Sequence, residues 1–283
     1  MEKFKSIIVY FSPAGTTRKI AELIAITLNK NSHEIEMVDM SDRRSKADLH
    51  TLKNRLKKGD CLWVGSPIYT GHAVPPVEKF ILNLPESKDV FAVPFVTYGS
   101  VTSGIGLYEM GMQLARRGFS ILGAAKILAV HSMLWFSKNP PGNGHPGHDD
   151  EKQIENLIKS VVKKISAPDP GNFIDPEILN YQPIKVKEQA KIWDITLLRQ
   201  NMPPMKLDKE KCTKCSICAE KCPIQNISLS PWPKIGDGCL LCFNCIRYCE
   251  PKALTNESLG GLENIIQNHM LEYGEPGETK IFI

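Results

Sequence analysis

The sequence predicts an α/β domain followed by a small, cysteine-rich α+β domain. Short apolar, β-rich segments alternate with segments of helical spacing over residues 4–165, which is typical of a parallel sheet covered by helices on both faces. Eight of the nine cysteines lie between residues 212 and 249. A proline-rich stretch separates the two regions, and a chain of 283 residues is long enough for two domains.

Five strands are predicted in the first domain, and each leads into a helix. The strands are expected at residues 6–11, 34–39, 61–66, 90–98 and 121–130. The helices are expected at residues 19–28 and near 47–57, 75–83, 105–117 and 149–165. This alternation predicts a doubly wound, five-stranded parallel sheet within a domain of residues 1–165.

The turn after the first strand has the composition of a phosphate-binding loop. Its sequence is Ser12-Pro-Ala-Gly-Thr-Thr17, and a helix follows at once. Backbone N–H groups and hydroxyls at the start of a helix suit a phosphate without a lysine. A plain helix cap is the alternative, but a cap needs one hydroxyl and this turn has three. The candidate phosphate ligands are Ser12, Ala14, Gly15, Thr16 and Thr17.

Two further loops follow the third and fourth strands. Their candidate binding residues are Pro67, Ile68, Tyr69, Thr70 and Gly71 in the first, and Tyr98, Gly99 and Ser100 in the second. All three loops lie at the carboxyl ends of predicted parallel strands, where open α/β sheets bind ligands. In order and position they resemble the FMN-binding loops of flavodoxins, and the resemblance covers about residues 4–165.

The flavodoxin resemblance implies roles for single residues. It implies an FMN cofactor. Tyr69 is placed to stack on the isoalloxazine and Tyr98 to lie against its other face or edge, but the resemblance does not decide which of the two tyrosines stacks. It also implies that the Gly71 peptide turns to hydrogen-bond the reduced flavin. We interpret the neighbouring His72 as an ordinary loop histidine, with an electrostatic tuner as the alternative.

The cysteines form two nearly identical motifs. They read Cys212-x2-Cys215-x2-Cys218-x3-Cys222-Pro and Cys239-x2-Cys242-x2-Cys245-x3-Cys249, the spacing of iron–sulfur ligands. A zinc site typically uses two CxxC pairs separated by a longer stretch, and a disulfide framework would need an export signal, which the short apolar run at the start does not resemble. We therefore predict two [4Fe–4S] clusters.

The motifs resemble those of two-cluster bacterial ferredoxins, although Glu250 stands between Cys249 and the following proline. The resemblance implies that each motif lends its last cysteine to the other cluster. One cluster would then be held by Cys212, Cys215, Cys218 and Cys249, and the other by Cys239, Cys242, Cys245 and Cys222. The order of the two modules is similar to that of the flavodoxin–ferredoxin fusion family (EFR1-type), with the ferredoxin-like domain at residues 206–257.

The remaining segments carry weaker signals. Residues 166–205 are predicted to be a linker with one amphipathic helix at 186–199 that holds the modules together, with free flexibility as the alternative. Residues 258–283 are expected to form a terminal element on either domain. The loop at 139–148 is interpreted as a solvated turn that serves as a lid or a docking surface, and not as a metal site. Gly104-Ile-Gly106 does not have dinucleotide-binding spacing, and Cys61 is expected in the core.

Charge and hydropathy exclude two classes of partner. The formal net charge is +4, and two clusters with FMN would make it negative, so we expect no nucleic-acid partner. The sequence has no apolar run of about 18 residues, so we expect no membrane partner and a cytoplasmic protein. The sequence leaves the oligomeric state open.

Together, the motifs predict an electron-transfer flavoprotein that passes low-potential electrons between the clusters, FMN and a ferredoxin- or flavoprotein-type redox partner, as in anaerobic metabolism. The alternative is an enzyme, an FMN-dependent reductase of a small substrate, with the 131–148 loop over the flavin and the clusters as its electron source. A redox sensor is disfavoured because no effector region is visible. The sequence shows no evident substrate pocket, which favours the carrier.

Overall fold

A parallel sheet forms the centre of the first domain. The computed structural model describes residues 4–30, 33–45, 49, 51–52, 55–167 and 171–283. The strands of this domain are β1 (Lys5–Tyr10), β2 (Glu34–Asp39), β3 (Cys61–Tyr69), β4 (His72–Ala73), β5 (Phe91–Tyr98), β6 (Ser120–Ile121) and β7 (Ala124–Leu128). The main strands run parallel in the order β2-β1-β3-β5-β7. The predicted doubly wound sheet is therefore confirmed.

Helices cover both faces of this sheet. They are α1 (Thr16–Asn29), α2 (Pro75–Leu82), α3 (Gly106–Arg116) and α4 (His148–Ile165). α1 and α4 pack on one face and α2 and α3 on the other, which explains why β1, β3 and β5 are apolar almost throughout. The helix predicted near 47–57 falls partly outside the described residues, so that prediction is left untested.

The linker contains two helices where the sequence predicted one. They are α5 (Ile184–Ile192) and α6 (Ile195–Asn201). The Asp194 carboxylate accepts a hydrogen bond from the Leu197 N–H at 2.8 Å, so it caps a new helix and ends the earlier one. The prediction of a single helix at 186–199 was therefore wrong.

The second domain has an internal twofold pattern. β8 (Lys206–Leu207) pairs with β11 (Leu254–Thr255), and β9 (Ile227–Ser228) pairs with β10 (Lys234–Ile235). The short helices α7 (Ile217–Glu220) and α8 (Asn244–Arg247) lie within the two cysteine motifs. The residues on either side of the second cysteine of each motif have left-handed backbone, with φ between 55° and 66°. Because this conformation is uncommon outside glycine, its repetition shows that the two loops share the same backbone conformation at these positions. These residues are Lys214, Ser216, Leu241 and Phe243.

The C-terminal segment returns to the first domain. After α9 (Leu262–Tyr273), β12 (Lys280–Phe282) pairs antiparallel with β7 and extends the sheet at its edge. The sequence had left open which domain this segment contacts. In the described residues, no helix is long and apolar enough to cross a membrane.

Candidate functional site

The loop after β1 forms an open cradle at the start of α1. Gly15 has φ +92°, and no side chain caps the helix at this point. A Cβ built on Gly15 would meet no atom within 4 Å, so the N-terminus of the helix is approachable. An uncapped helix start with open space before it fits a phosphate group.

Two of the predicted phosphate ligands brace this loop from within. The Ser12 hydroxyl accepts a hydrogen bond from the Arg18 N–H at 2.9 Å. The Thr17 hydroxyl is fully buried and lies 2.8 Å from the Thr97 hydroxyl on β5. These bonds hold the cradle in shape, and they leave the Thr16 side chain and the backbone N–H groups as the groups best placed for a ligand.

The second predicted loop is a tight hairpin between β3 and β4. Thr70 and Gly71 form its turn, with φ values of +52° and +86°. The Gly71 carbonyl accepts hydrogen bonds from the N–H groups of Ile105 at 2.7 Å and Gly106 at 3.1 Å. A Cβ on Gly104 would lie 2.1 Å from that carbonyl oxygen, which explains the glycine there. Because turning this peptide would break two hydrogen bonds, the behaviour implied for Gly71 does not match the conformation seen here.

The two tyrosines have different surroundings. Tyr69 is half-buried between the hairpin and the second domain, where it packs near Leu241 and Phe243, and burial raises the pKa of its hydroxyl. Tyr98 is 2% exposed, and its hydroxyl donates to the Glu278 carbonyl at 2.9 Å. The Tyr98 hydroxyl therefore anchors the C-terminal segment, while Tyr98 also lines a cavity at this end of the sheet, and its role beside the flavin stays a prediction.

Two adjoining cavities open at this end of the sheet. The smaller one, of about 120 Å³, has Thr16 in its wall and is called here the phosphate-side cavity. Pro67, Ile68, Tyr69, Thr70, Tyr98 and Gly99 also line it, together with Leu240 and Leu241 of the second domain. The larger one, of about 460 Å³, is called the neutral cleft. The two share Ile68, Thr70, Gly99, His131, Met133 and Leu198. Ser100 lines neither.

His131 lines both cavities and was missed by the sequence analysis. Burial lowers the pKa of its imidazole to about 4, so the ring is neutral at pH 7. Its Nδ1 is buried and has no hydrogen-bond partner among the described residues. An unpaired buried nitrogen is costly, and because this one is enclosed by the protein, it offers no direct contact to a ligand in either cavity. The available signal was its place just after β7, at the carboxyl end of a parallel strand.

His72 joins the hairpin to α3 and the linker. Its Nδ1 lies 3.0 Å from a Glu109 carboxylate oxygen, and its Nε2 lies 2.8 Å from the Ala190 carbonyl oxygen. Burial lowers the pKa of His72, but the hydrogen bond and charge of Glu109 outweigh this effect and raise it above its ordinary value. His72 is thus a structural connection and not a free loop residue.

The eight motif cysteines surround two small cavities. Cys212, Cys215, Cys218 and Cys249 line one, and Cys222, Cys239, Cys242 and Cys245 line the other. Backbone N–H groups point at the sulfurs, from Asn226 to Cys222 Sγ at 3.2 Å and from Leu241 to Cys239 Sγ at 3.4 Å. Four free thiols around each cavity, with N–H···S bonds, form a donor set that fits an iron–sulfur cluster. Burial raises the pKa of Cys242 and Cys245 to about 12, so metal binding there must displace protons.

The second motif lies directly against the cradle. The Asn244 side-chain amide donates to the Pro13 carbonyl at 2.8 Å, and Leu240 joins the core cluster of the first domain. The cavity of Cys212, in contrast, is lined only by residues between 207 and 254. One cysteine cavity therefore lies beside the predicted flavin loops, and the other is lined by the second domain alone.

Comparison with known proteins agrees with both halves of this description. Residues 7–98 match the model of the flavodoxin domain, and residues 205–228 match the model of the 4Fe-4S binding domain. A flavodoxin domain and a 4Fe–4S domain in one chain define an iron–sulfur flavoprotein of the electron-transfer class. The chain is accordingly a flavodoxin–ferredoxin fusion, and its EFR1-type assignment stays a prediction.

One curated relative and several solved structures are similar. An uncharacterized protein of Methanocaldococcus jannaschii is 29% identical over 113 residues, which cover 36% of this chain and 52% of the relative. The chain thus spans about half the length of this relative. A flavodoxin from the domain Archaea is 19% identical and covers 58% of this chain and all of its own, with a TM-score of 0.44. The rubredoxin oxygen:oxidoreductase of Desulfovibrio gigas is also 19% identical. The match covers 58% of this chain and 37% of the oxidoreductase chain, with a TM-score of 0.43.

Proposed function

We propose that this protein passes low-potential electrons between two [4Fe–4S] clusters and FMN within one chain, and on to a ferredoxin- or flavoprotein-type partner. The observation that carries the proposal is the contact between the second cysteine motif and the flavin loops. Leu240 and Leu241 line the phosphate-side cavity together with Tyr69 and Thr16. A cluster and a flavin on either side of this contact would be neighbours.

The proposed ligands of the two clusters are crossed between the motifs. Cys249 joins the first three cysteines of the first motif, and Cys222 joins those of the second, as the grouping around the two cavities supports. The cluster of Cys239, Cys242, Cys245 and Cys222 would be proximal to the flavin. The cluster of Cys212, Cys215, Cys218 and Cys249 would be distal, and exposed Cys215 marks it as the entry or exit point for a partner protein.

The cradle and hairpin would hold FMN. The N–H groups of residues 14–17 and the Thr16 hydroxyl would bind its phosphate, and residues 67–71 and 98–100 would flank its ring. FMN supplies the exchange between one-electron and two-electron chemistry. Leu240 and Leu241 would exclude water between the centres. A cytoplasmic location is part of the proposal, since a reducing compartment keeps the eight thiols available for iron.

A stoichiometry and a rate test this proposal. Anaerobically reconstituted protein is expected to hold two clusters and one FMN per chain. After mixing with a reduced two-cluster ferredoxin in a stopped-flow spectrometer, cluster bleaching should precede flavin bleaching. In the Cys222→Ala variant the flavin should be reduced at least tenfold more slowly. Equal rates in the two proteins, or a chain without FMN, would contradict the proposal.

A second function is favoured by the neutral cleft. A reductase of a small substrate needs a pocket beside the flavin, and the cleft adjoins the flavin hairpin. Of the 131–148 loop, which the sequence analysis placed over the flavin, His131 and Met133 line this cleft. The other walls come from α5, α6 and α9. Turnover of a small oxidant by the reduced protein would separate this function from simple electron carriage.

A further inference from the structure

The neutral cleft is built by three parts of the chain. The β3–β4 hairpin and the loop at 99–102 form its floor, with Thr70 and Gly71 at the hairpin turn. The linker forms one wall through residues such as Val186 and Trp193, and α9 forms the other through Ile265 and Ile266. The cleft therefore exists only when the linker and the C-terminal segment are folded onto the first domain.

The cleft lining has no formal charge. None of its 22 residues is Asp, Glu, Lys or Arg, and burial keeps His131 neutral. Most lining side chains are apolar, and the polar ones include the uncharged Gln189, Asn201 and Tyr273. A nucleotide or a carboxylate would need a cationic partner, which this lining does not offer. Its ligand should therefore be uncharged and mainly apolar.

FMN does not account for the whole cleft. None of residues 12–17 lines it, although they form the cradle proposed for the phosphate. The cleft reaches from the shared residues at the hairpin to Tyr273 on α9, and its volume of about 460 Å³ falls in the range of small-molecule sites. A second molecule in the cleft would lie beside the residues proposed to flank the flavin ring.

We propose that the neutral cleft binds an uncharged, mainly apolar ring compound of the quinone class, which accepts electrons from the protein. This inference rests on the proposed function for its electron source. Reduction of a quinone to a hydroquinone adds two electrons and two protons and converts both C=O groups to C–OH. The electrons come from the reduced partner protein through the clusters and FMN, and the protons come from water. Both forms of the ligand are uncharged, as the lining requires.

Binding is tested with duroquinone, a fully substituted quinone that cannot alkylate cysteines. Its dissociation constant is measured by anaerobic equilibrium dialysis against the oxidised holoprotein. Ile265→Arg places a cation in the cleft wall at a residue that is 46% exposed, so folding should tolerate it. Leu271→Arg is the matched control, because Leu271 lies on the same helix, is 88% exposed and does not line the cleft.

Ile265→Arg should raise the dissociation constant for duroquinone at least tenfold, with FMN and iron contents equal to those of the unchanged protein. Leu271→Arg should leave all three values unchanged. Equal affinity in the Ile265→Arg variant would overturn the inference, as would an unchanged protein that does not bind duroquinone. Loss of FMN from Ile265→Arg would also overturn it, because the cleft would then hold the cofactor. Dialysis needs no electron transfer, so a failure of the proposed electron path would be seen separately in the stopped-flow rates.

Discussion

A buried ion pair connects the C-terminal segment to the sheet, and its loss should destabilise the protein strongly. Lys126 on β7 is 3% exposed, and its Nζ lies 3.1 Å from Glu275 Oε1. The Glu275 carboxylate also accepts hydrogen bonds from the Ser103 N–H at 3.1 Å and from the Gln182 amide at 2.5 Å. One carboxylate thus joins the sheet, the loop after β5, the linker and the C-terminal segment.

The expected effect of Glu275→Ala follows from this geometry. Removing one partner of a buried ion pair costs roughly 3–5 kcal/mol, because the other charge stays buried and unpaired. Glu278 lies 3.8 Å from Lys126 and is half exposed, so it compensates in part. We therefore expect a loss of about 3 kcal/mol in the free energy of unfolding. For a protein of this size, that corresponds to a Tm lowered by about 6–12 °C.

Thermal and urea unfolding of the anaerobic holoprotein measure this change. Glu278→Ala is the control and should lose less than about 1 kcal/mol, because its ion pair is longer and exposed. The double variant Lys126→Met/Glu275→Leu should recover most of the loss, since apolar residues remove the unpaired charge. A Glu275→Ala variant within about 1 kcal/mol of the unchanged protein would refute the reasoning.

Three further predictions concern the site. Because the pKa of His72 is raised in the folded state, its contribution to stability is complete below the unfolded pKa of about 6.5 and is lost as pH rises through the folded value. The free energy of unfolding should therefore fall less between pH 6 and pH 8 in the His72→Gln variant than in the unchanged protein. The same holds for Glu109→Gln, which removes the carboxylate that raises the pKa. Urea titrations in which the variants show the same pH dependence as the unchanged protein would exclude this account. Cys222→Ala should remove the proximal cluster and keep the distal one, so that iron and sulfide fall by half; loss of the distal cluster instead, seen by EPR, would mean uncrossed ligation. Gly15→Ala should weaken FMN binding about fivefold or more in a fluorescence titration, since a left-handed alanine costs roughly 1–2 kcal/mol and strains the cradle. Gly144→Ala carries the same strain at φ +83° outside both cavities and should leave the FMN affinity unchanged.

The sheet was predictable because its pattern is local. β1, β3 and β5 are continuous apolar runs, and helical spacing follows each of them, so periodicity alone places these elements. The linker shows where a local pattern misleads. Residues 186–199 keep helical spacing throughout, but the Asp194 cap starts a second helix within it.

The candidate site was predictable where one segment supplies the chemistry. The cradle at 12–17 and the cysteine motifs each carry their ligand types within a few residues. The surroundings of Tyr98 could not be predicted from the sequence, because its hydroxyl donates to the carbonyl of Glu278, which is distant in sequence. The neutral cleft was also invisible, since its walls meet only through long-range packing of the linker and α9 on the hairpin. The absence of an evident pocket in the sequence was therefore weak support for a simple carrier.

The placement of the added segments bears on where electrons enter and leave. A carrier that exchanges electrons at its flavin needs an open edge for a partner protein. Here the second motif contacts the cradle through Asn244, and the linker reaches the hairpin through the bond between His72 and the Ala190 carbonyl. A protein partner would therefore meet the distal cluster near exposed Cys215 more readily than the flavin. The space that remains beside the flavin loops, in the neutral cleft, suits a small uncharged molecule. A protein partner would then exchange electrons at the distal cluster of the second domain, and a small acceptor would take them beside the flavin of the first.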